Sequence, residues 1–227
     1  MGNQRAMRRM AGFSCFMGIL LGLVACQPHV EVPQPAPEKL DIEKVLVVRF
    51  HDMSAVYGAG QSARCTICGH AFVTGEVAAG AVEKLTDELM AQLNAREDLT
   101  PIPPGQARGV LAGYFEKNLE IEAEREILVE AGTKLGADAV MVGHIYRYEE
   151  RLGGAYSVSK PAAVTFGLNL IRVPDGMVLW SGAYSEIQQS LTENLLQMGT
   201  FFGRGGKWLT ADELAHYGLA KVLGTLN

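Results

Sequence analysis

Cysteine and charge are both scarce in this chain of 227 residues. Its four cysteines are too few for a scaffold built on disulfides, which small secreted domains need when they lack a core. Charged residues make up 20% and the formal net charge is −5, with no lysine- or arginine-rich tract. Nucleic-acid binding rests on neutralising phosphates, so that composition argues against it. The apolar run Gly12–Ala25 falls short of the roughly 18–20 residues a spanning helix needs, and the composition as a whole excludes a polytopic membrane protein. What is abundant is apolar side chain, 48% of residues. That rules out a disordered or collagen-like chain and suffices for one domain with a real core.

The first 25 residues carry Arg5, Arg8 and Arg9 and no acid, followed by that apolar run. A basic start and a short apolar stretch read as a secretory signal, not as structure. The stretch closes on Leu23-Val24-Ala25-Cys26, which resembles the bacterial lipobox. The resemblance implies a diacylglyceryl group on Cys26 and cleavage just before it, and the other reading is an ordinary signal with Cys26 a free thiol. Cleavage removes the three arginines and takes the net charge from −5 to −8. Several acyl chains hold a protein firmly where one binds marginally. Gln27, in place of Asp, implies the outer membrane by the sorting rule of enteric bacteria. Pro28, Pro33, Pro35 and Pro37 make residues 26–40 the lipidated cysteine and a proline-rich tether. Its thirteen residues 27–39 reach on the order of 40 Å at about 3.1 Å each. Residues 41–227 are then a periplasmic domain held near the membrane.

Periodicity assigns the elements of that domain. Val45–Val48 with Phe50 is a buried strand, and residues 52–75, rich in glycine, read as loop. Val82, Leu85, Leu89 and Leu93 recur at three- and four-residue spacing, predicting a helix over 76–94 with Thr74 as its cap. A short strand follows at Leu99–Ile102. Helical stretches follow around 106–116 and 121–135, the second ended by Gly136 in a left-handed conformation. Ala139–Ile145 is a central strand, and His144 within it is a hydrogen-bonded core histidine. Tyr146, Arg147, Tyr148 and Arg151 read as a mixed exposed edge. Val164–Leu170 and Val178–Tyr184, joined by Pro174-Asp175-Gly176, form a hairpin. A capping box at Thr210-Ala211-Asp212-Glu213 opens a last helix to residue 225. The fold class is α/β: a single domain with a mixed sheet of about five strands flanked by helices.

Val45–Ser54, Leu135–Gly143 and Val173–Gly182 resemble the periplasmic domain of several outer-membrane lipoproteins, across roughly residues 42–190. These are the CsgG-like curli-secretion channel lipoprotein, the exopolysaccharide-export ring lipoprotein and the LpoB-like activator of penicillin-binding proteins. The resemblance implies an anticodon-binding-domain-like α/β fold and no enzymatic activity. It also implies action through envelope-protein contacts or homo-oligomeric rings. Two roles follow as expectations. One is an assembly component of an export or secretion apparatus. The other is a regulator of a peptidoglycan synthase, disfavoured because the known activator uses a long linker where this tether is short.

Catalytic patterns fail. Gly203–Lys207 lacks the first glycine of a phosphate loop, since position 201 is Phe, and Trp208 stands where Ser or Thr is needed. The apolar segment around Phe201, Phe202 and Trp208 reads as core or as an oligomer or partner surface. No serine sits in a nucleophile elbow. Cys65-Thr66-Ile67-Cys68-Gly69-His70 is the one local cluster with chemistry. Its two-residue gap lets both sulfurs reach one metal ion such as zinc, with His70 adding a nitrogen and the fourth ligand from His51, Asp52 or a partner subunit. Gly69 breaks the haem-attachment pattern. A disulfide stapling a loop, a metal site and a redox pair all remain open. His51 and Asp52 follow the first strand, where open sheets often place sites.

Overall fold

The structure is a computed structural model that describes residues 41–112, 121–188, 203 and 206–226. Among them, the main sheet comprises β1 (Lys44–Val47), β2 (His51–Asp52), β5 (Thr100–Ile102), β6 (Ala139–Glu149), β9 (Ala163–Arg172) and β10 (Val178–Ile187). Its order is β10-β9-β6-β1-β5, with β2 continuing beside β6. Strands β1 and β2 run parallel to β6, β1 also runs parallel to β5, and β9 runs antiparallel to both β6 and β10. The expected mixed α/β sheet is what the chain forms.

Both faces of the sheet are covered, so its central strands are apolar on both sides. On one face lie α2 (Ala81–Asn94) and the C-terminal α4 (Ala211–Leu223). Leu85, Leu89 and Leu93 of α2 and Leu214, Leu219 and Val222 of α4 pack on Val45, Val47, Met141, Phe166 and Leu168. Each fully buried leucine stabilises by about 1.5–3 kcal/mol, so this stripe outweighs any helix propensity, which is tenths of a kcal/mol per residue. The other face carries α3 (Ile121–Leu135) and a small hairpin, β3 (Ser62–Arg64) with β4 (Ala71–Val73). Leu128, Ala131, Ala63, Cys65, Ile67 and Phe72 meet Leu46, Val48, Val140, Val142 and Ile171 there.

Several local expectations are met. Gly136 ends α3 at φ +63°, and the side chain of Thr210 accepts the Glu213 N–H while Glu213 accepts that of Thr210. Others need correction. Residues 52–75 are not plain loop: they hold a one-turn helix α1 (Met53–Tyr57) and the hairpin. Asp52 caps α1 by accepting the N–H groups of Ser54 and Ala55. Helix α2 starts after Gly80, and Thr74 is instead a buried bridge whose hydroxyl serves Gly58, Gln61 and the Gln61 N–H. A 3-10 turn (Pro104–Ala107) begins the stretch expected at 106–116, of which 113–116 lie outside the described residues. The two-residue strand β7 (Leu152–Gly153) pairs with β8 (Val158–Lys160).

The expected exposed edge at Tyr146–Arg151 is wrong for its tyrosines, and the reason is a bulge. Ile145 pairs with Phe166 and Arg147 with Thr165, leaving Tyr146 as an extra residue. A bulge inverts the alternation of side chains beyond it. Tyr146 therefore points to the α3 face with Val140 and Val142, while Tyr148, two residues on, points to the α2 and α4 face. Tyr146 stacks on Phe72 at 4.0 Å, and Tyr148 donates to Asp212 of α4 at 2.6 Å.

Gly143 marks the tightest approach in the central strand, because a Cβ there would lie 2.4 Å from the Phe50 ring. Phe50 cannot retreat, since its ring stands edge-on to Phe166 at 6.1 Å. Gly143→Ala should destabilise by about 1–3 kcal/mol through overpacking, measured by urea unfolding. Phe50→Leu in the same chain should recover part of that loss. Strictly additive costs would show that the ring is not the obstacle.

Candidate functional site

The hairpin pairs Ser62 with Val73, Ala63 with Phe72 and Arg64 with Ala71, which leaves residues 65–70 as its tip. Three backbone contacts tighten that tip. The Cys65 N–H donates to the His70 carbonyl at 2.8 Å and the Gly69 N–H to the Cys65 carbonyl at 3.0 Å. The Cys68 N–H points at the Cys65 sulfur at 3.4 Å. Gly69, at φ +74°, supplies a conformation that a side chain would resist. Alternation along the hairpin drives Ala63, Cys65, Ile67 and Phe72 down onto the sheet and leaves His70 exposed.

Beneath the tip the sheet presents polar groups. His144 of β6 is 1% exposed and Asn169 of β9 is fully buried. Asn169 donates from Nδ2 toward the Cys65 sulfur at 3.6 Å and accepts from Ser181 at 2.8 Å. Helix α3 contributes Glu124, a buried carboxylate. One of its oxygens lies 3.0 Å from His144 Nε2, and the other accepts the hydroxyl of Thr66, which sits between the two cysteines. Thr66, Glu124 and His144 thus form a circuit linking hairpin, helix and sheet. His144 Nδ1 and the Tyr146 hydroxyl are buried without a hydrogen-bond partner.

The electrostatics follow the geometry. The Cys68 thiol donates toward Cys65 and His144 adds to it, holding the Cys65 thiol far below the usual range although burial opposes this. Cys68 is shifted upward in turn, by its hydrogen bond to Cys65 and by burial. Burial alone would lower His144, but its contacts with Cys65 and Glu124 outweigh that and raise it to about 9. His51, its neighbour across the strands with ring centres 6.3 Å apart, is lowered by burial and then by His144.

The structure brings Cys65, Cys68 and His70 together, with Cys68 Sγ 3.6 Å from His70 Nδ1. The two thiols are not bonded to each other. Sequence reasoning did not connect Glu124, Tyr146 or Asn169 with this cluster, and it placed His144 correctly as buried but not beside a cysteine. A polar residue amid an apolar strand was the available signal. Cys26, Phe201 and Phe202 lie outside the described residues. Trp208 is half-buried, its N–H donating to the Ala155 carbonyl at 2.7 Å. Lys207 of the rejected phosphate loop pairs with Glu213 at 2.6 Å. Asp52 serves as a helix cap.

No protein-family model matches the chain, and no curated protein matches it. Several solved structures are similar to it. One is the PelC dodecamer from Paraburkholderia phytofirmans, 16% identical with a TM-score of 0.43 over 82% of this chain and 87% of that one. Another is the lipoprotein GNA1162 from Neisseria meningitidis, 16% identical with a TM-score of 0.42 over 70% and 91%. The LpoB C-terminal domain from Salmonella enterica is 17% identical with a TM-score of 0.34 over 64% and 83%.

Removing the carboxylate from the circuit should cost stability in proportion to what it leaves unpaired. Glu124→Leu strands His144 and is expected to cost about 3–5 kcal/mol, as for other broken buried pairs. Glu124→Gln, which keeps an acceptor for Thr66 or His144, should cost less. Urea unfolding of the reduced protein measures both, and near-zero losses for each would show that the pair does not support the fold.

Proposed function

We propose that this chain is a lipid-anchored envelope protein, held by Cys26 at the periplasmic side of the outer membrane, that works without catalysis. Its role is as an assembly or structural component of an export or secretion apparatus. The observation that carries this reading is Leu23-Val24-Ala25-Cys26 at the end of a basic-then-apolar start, followed by a short proline-rich tether. Among the described residues, no helix is long and apolar enough to cross a membrane. Two open grooves carry charges that are already paired, Arg49 with Glu83 at 3.6 Å and Lys160 with Glu149 at 2.6 Å. The tether restrains every copy near one surface, which raises the effective concentration for lateral contact. Apolar residues near Phe201 and Phe202 give that contact a surface suited to a homo-oligomer.

Two measurements test this. Wild-type protein should incorporate labelled palmitate and partition into detergent, while Cys26→Ala should do neither. Unlabelled wild-type protein overturns the anchor. Light scattering on full-length protein in detergent should give a discrete oligomer that Phe201→Asp or Phe202→Asp dissociates. A strictly monomeric mass at tens of micromolar overturns the assembly role and favours the alternative, a regulator that binds a peptidoglycan synthase.

A further inference from the structure

We propose that Cys65, Cys68, His70 and His144 form a closed structural site for one zinc ion, with Glu124 as the carboxylate that orients His144. The site does not depend on the lipid anchor or on the assembly role, and its test reads neither.

Four observations converge on it. The hairpin tip is a tight knuckle in which the Cys68 N–H serves the Cys65 sulfur at 3.4 Å, which holds that sulfur against the backbone of the second cysteine. Cys68 Sγ and His70 Nδ1 lie 3.6 Å apart. A tetrahedral zinc with Zn–S of about 2.3 Å and Zn–N of about 2.0–2.1 Å has sulfur–nitrogen edges of about 3.6 Å. His144 borders the Cys65 sulfur, gives Nε2 to Glu124 at 3.0 Å, and keeps Nδ1 buried and unpartnered. A ligating histidine that passes its other nitrogen to a carboxylate is the usual second layer of a zinc site. Lastly, Asn169 directs an amide N–H at the Cys65 sulfur at 3.6 Å, the kind of hydrogen bond that stabilises a thiolate.

The alternatives leave more unexplained. A Cys65–Cys68 disulfide would tie the hairpin tip to itself and still leave His144 Nδ1 buried without a partner. A redox pair needs an accessible sulfur at a helix start, whereas Cys65 is 2% exposed and follows a strand. Two thiolates and two neutral imidazoles around a dication give a neutral set, suited to a buried place and to zinc above magnesium or calcium. Among the described residues no three such side chains already converge on one point. Closure therefore requires side-chain rotation within the cluster, and the exposed hairpin tip has room for it.

The experiment uses full-length protein purified in detergent without chelator under anaerobic conditions. Elemental analysis should find one zinc per chain. Replacing zinc by cobalt(II) should give thiolate-to-cobalt charge transfer and the intense visible bands of a tetrahedral ion. Cys65→Ser and Cys68→Ser should abolish that spectrum. His70→Ala lies on the exposed tip, where folding is not at stake, and should keep the metal but shift the bands as water replaces the imidazole. Glu124→Gln, a positioning change, should retain stoichiometry with roughly 10–100-fold weaker affinity. Two reactive thiols with no bound zinc, a disulfide present under anaerobic purification, or an octahedral cobalt spectrum without charge transfer would each overturn the proposal. So would a His70→Ala spectrum identical to wild type.

Discussion

Burying both faces of strand β6 makes each polar side chain on it costly unless it finds a partner inside the protein. His144 is the residue on which this presses hardest, because its ring is closed off by a hairpin above and a helix beside it. One nitrogen is met by Glu124, drawn in from α3. That carboxylate is itself costly to bury unless its second oxygen is used, and Thr66 uses it. The position of Thr66 then fixes the two cysteines on either side of it. The place of the hairpin on the sheet thus follows from a histidine in the middle of an apolar strand.

The bulge at Tyr146 is the second constraint, and it divides the labour of the two faces. Without it, Tyr146 and Tyr148 would point the same way, and one face would carry both phenols. With it, Tyr146 stacks on Phe72 and helps seat the hairpin, while Tyr148 reaches Asp212, which Lys84 of α2 also holds at 2.9 Å. One strand segment therefore secures the hairpin on one side and ties α2 to α4 on the other.

These features also explain what could be read from the sequence. Strands such as Val45–Val48 and Ala139–Ile145, the hairpin at Asp175-Gly176 and the capping box at Thr210 are local signals, written in consecutive residues, and the sheet and its flanking helices followed from them. The bulge is not a local signal: Tyr146 to Glu149 alternates like an exposed edge, and only the register against β9 shows that it turns over. The short hairpin at 62–73 was read as loop because its strands are three residues each and glycine-rich around the turns. The Cys65–Cys68 pair was visible, but its surroundings were not. Asn169 is 104 residues from Cys65 and Glu124 is 58 from Thr66, separations at which spacing carries no information.

The same division separates the cysteine cluster from the C-terminal helix. The cysteine cluster belongs to the α3 face, whereas Leu209 and α4, which follow the apolar segment around residues 195–202, pack on the opposite face with Leu85 and Phe166. Lys207 is anchored to Glu213 at the start of α4, and the Leu209 N–H is bonded to Gln188 at 2.7 Å. Gln188 also donates to the Lys207 carbonyl at 3.0 Å, so the end of β10 is tied to the residues that lead into α4. Between the hairpin and α4 lie the central strands, where close packing such as Phe50 over Gly143 resists displacement. The cysteine cluster and α4 are thus held on separate faces of one sheet, each by its own packing.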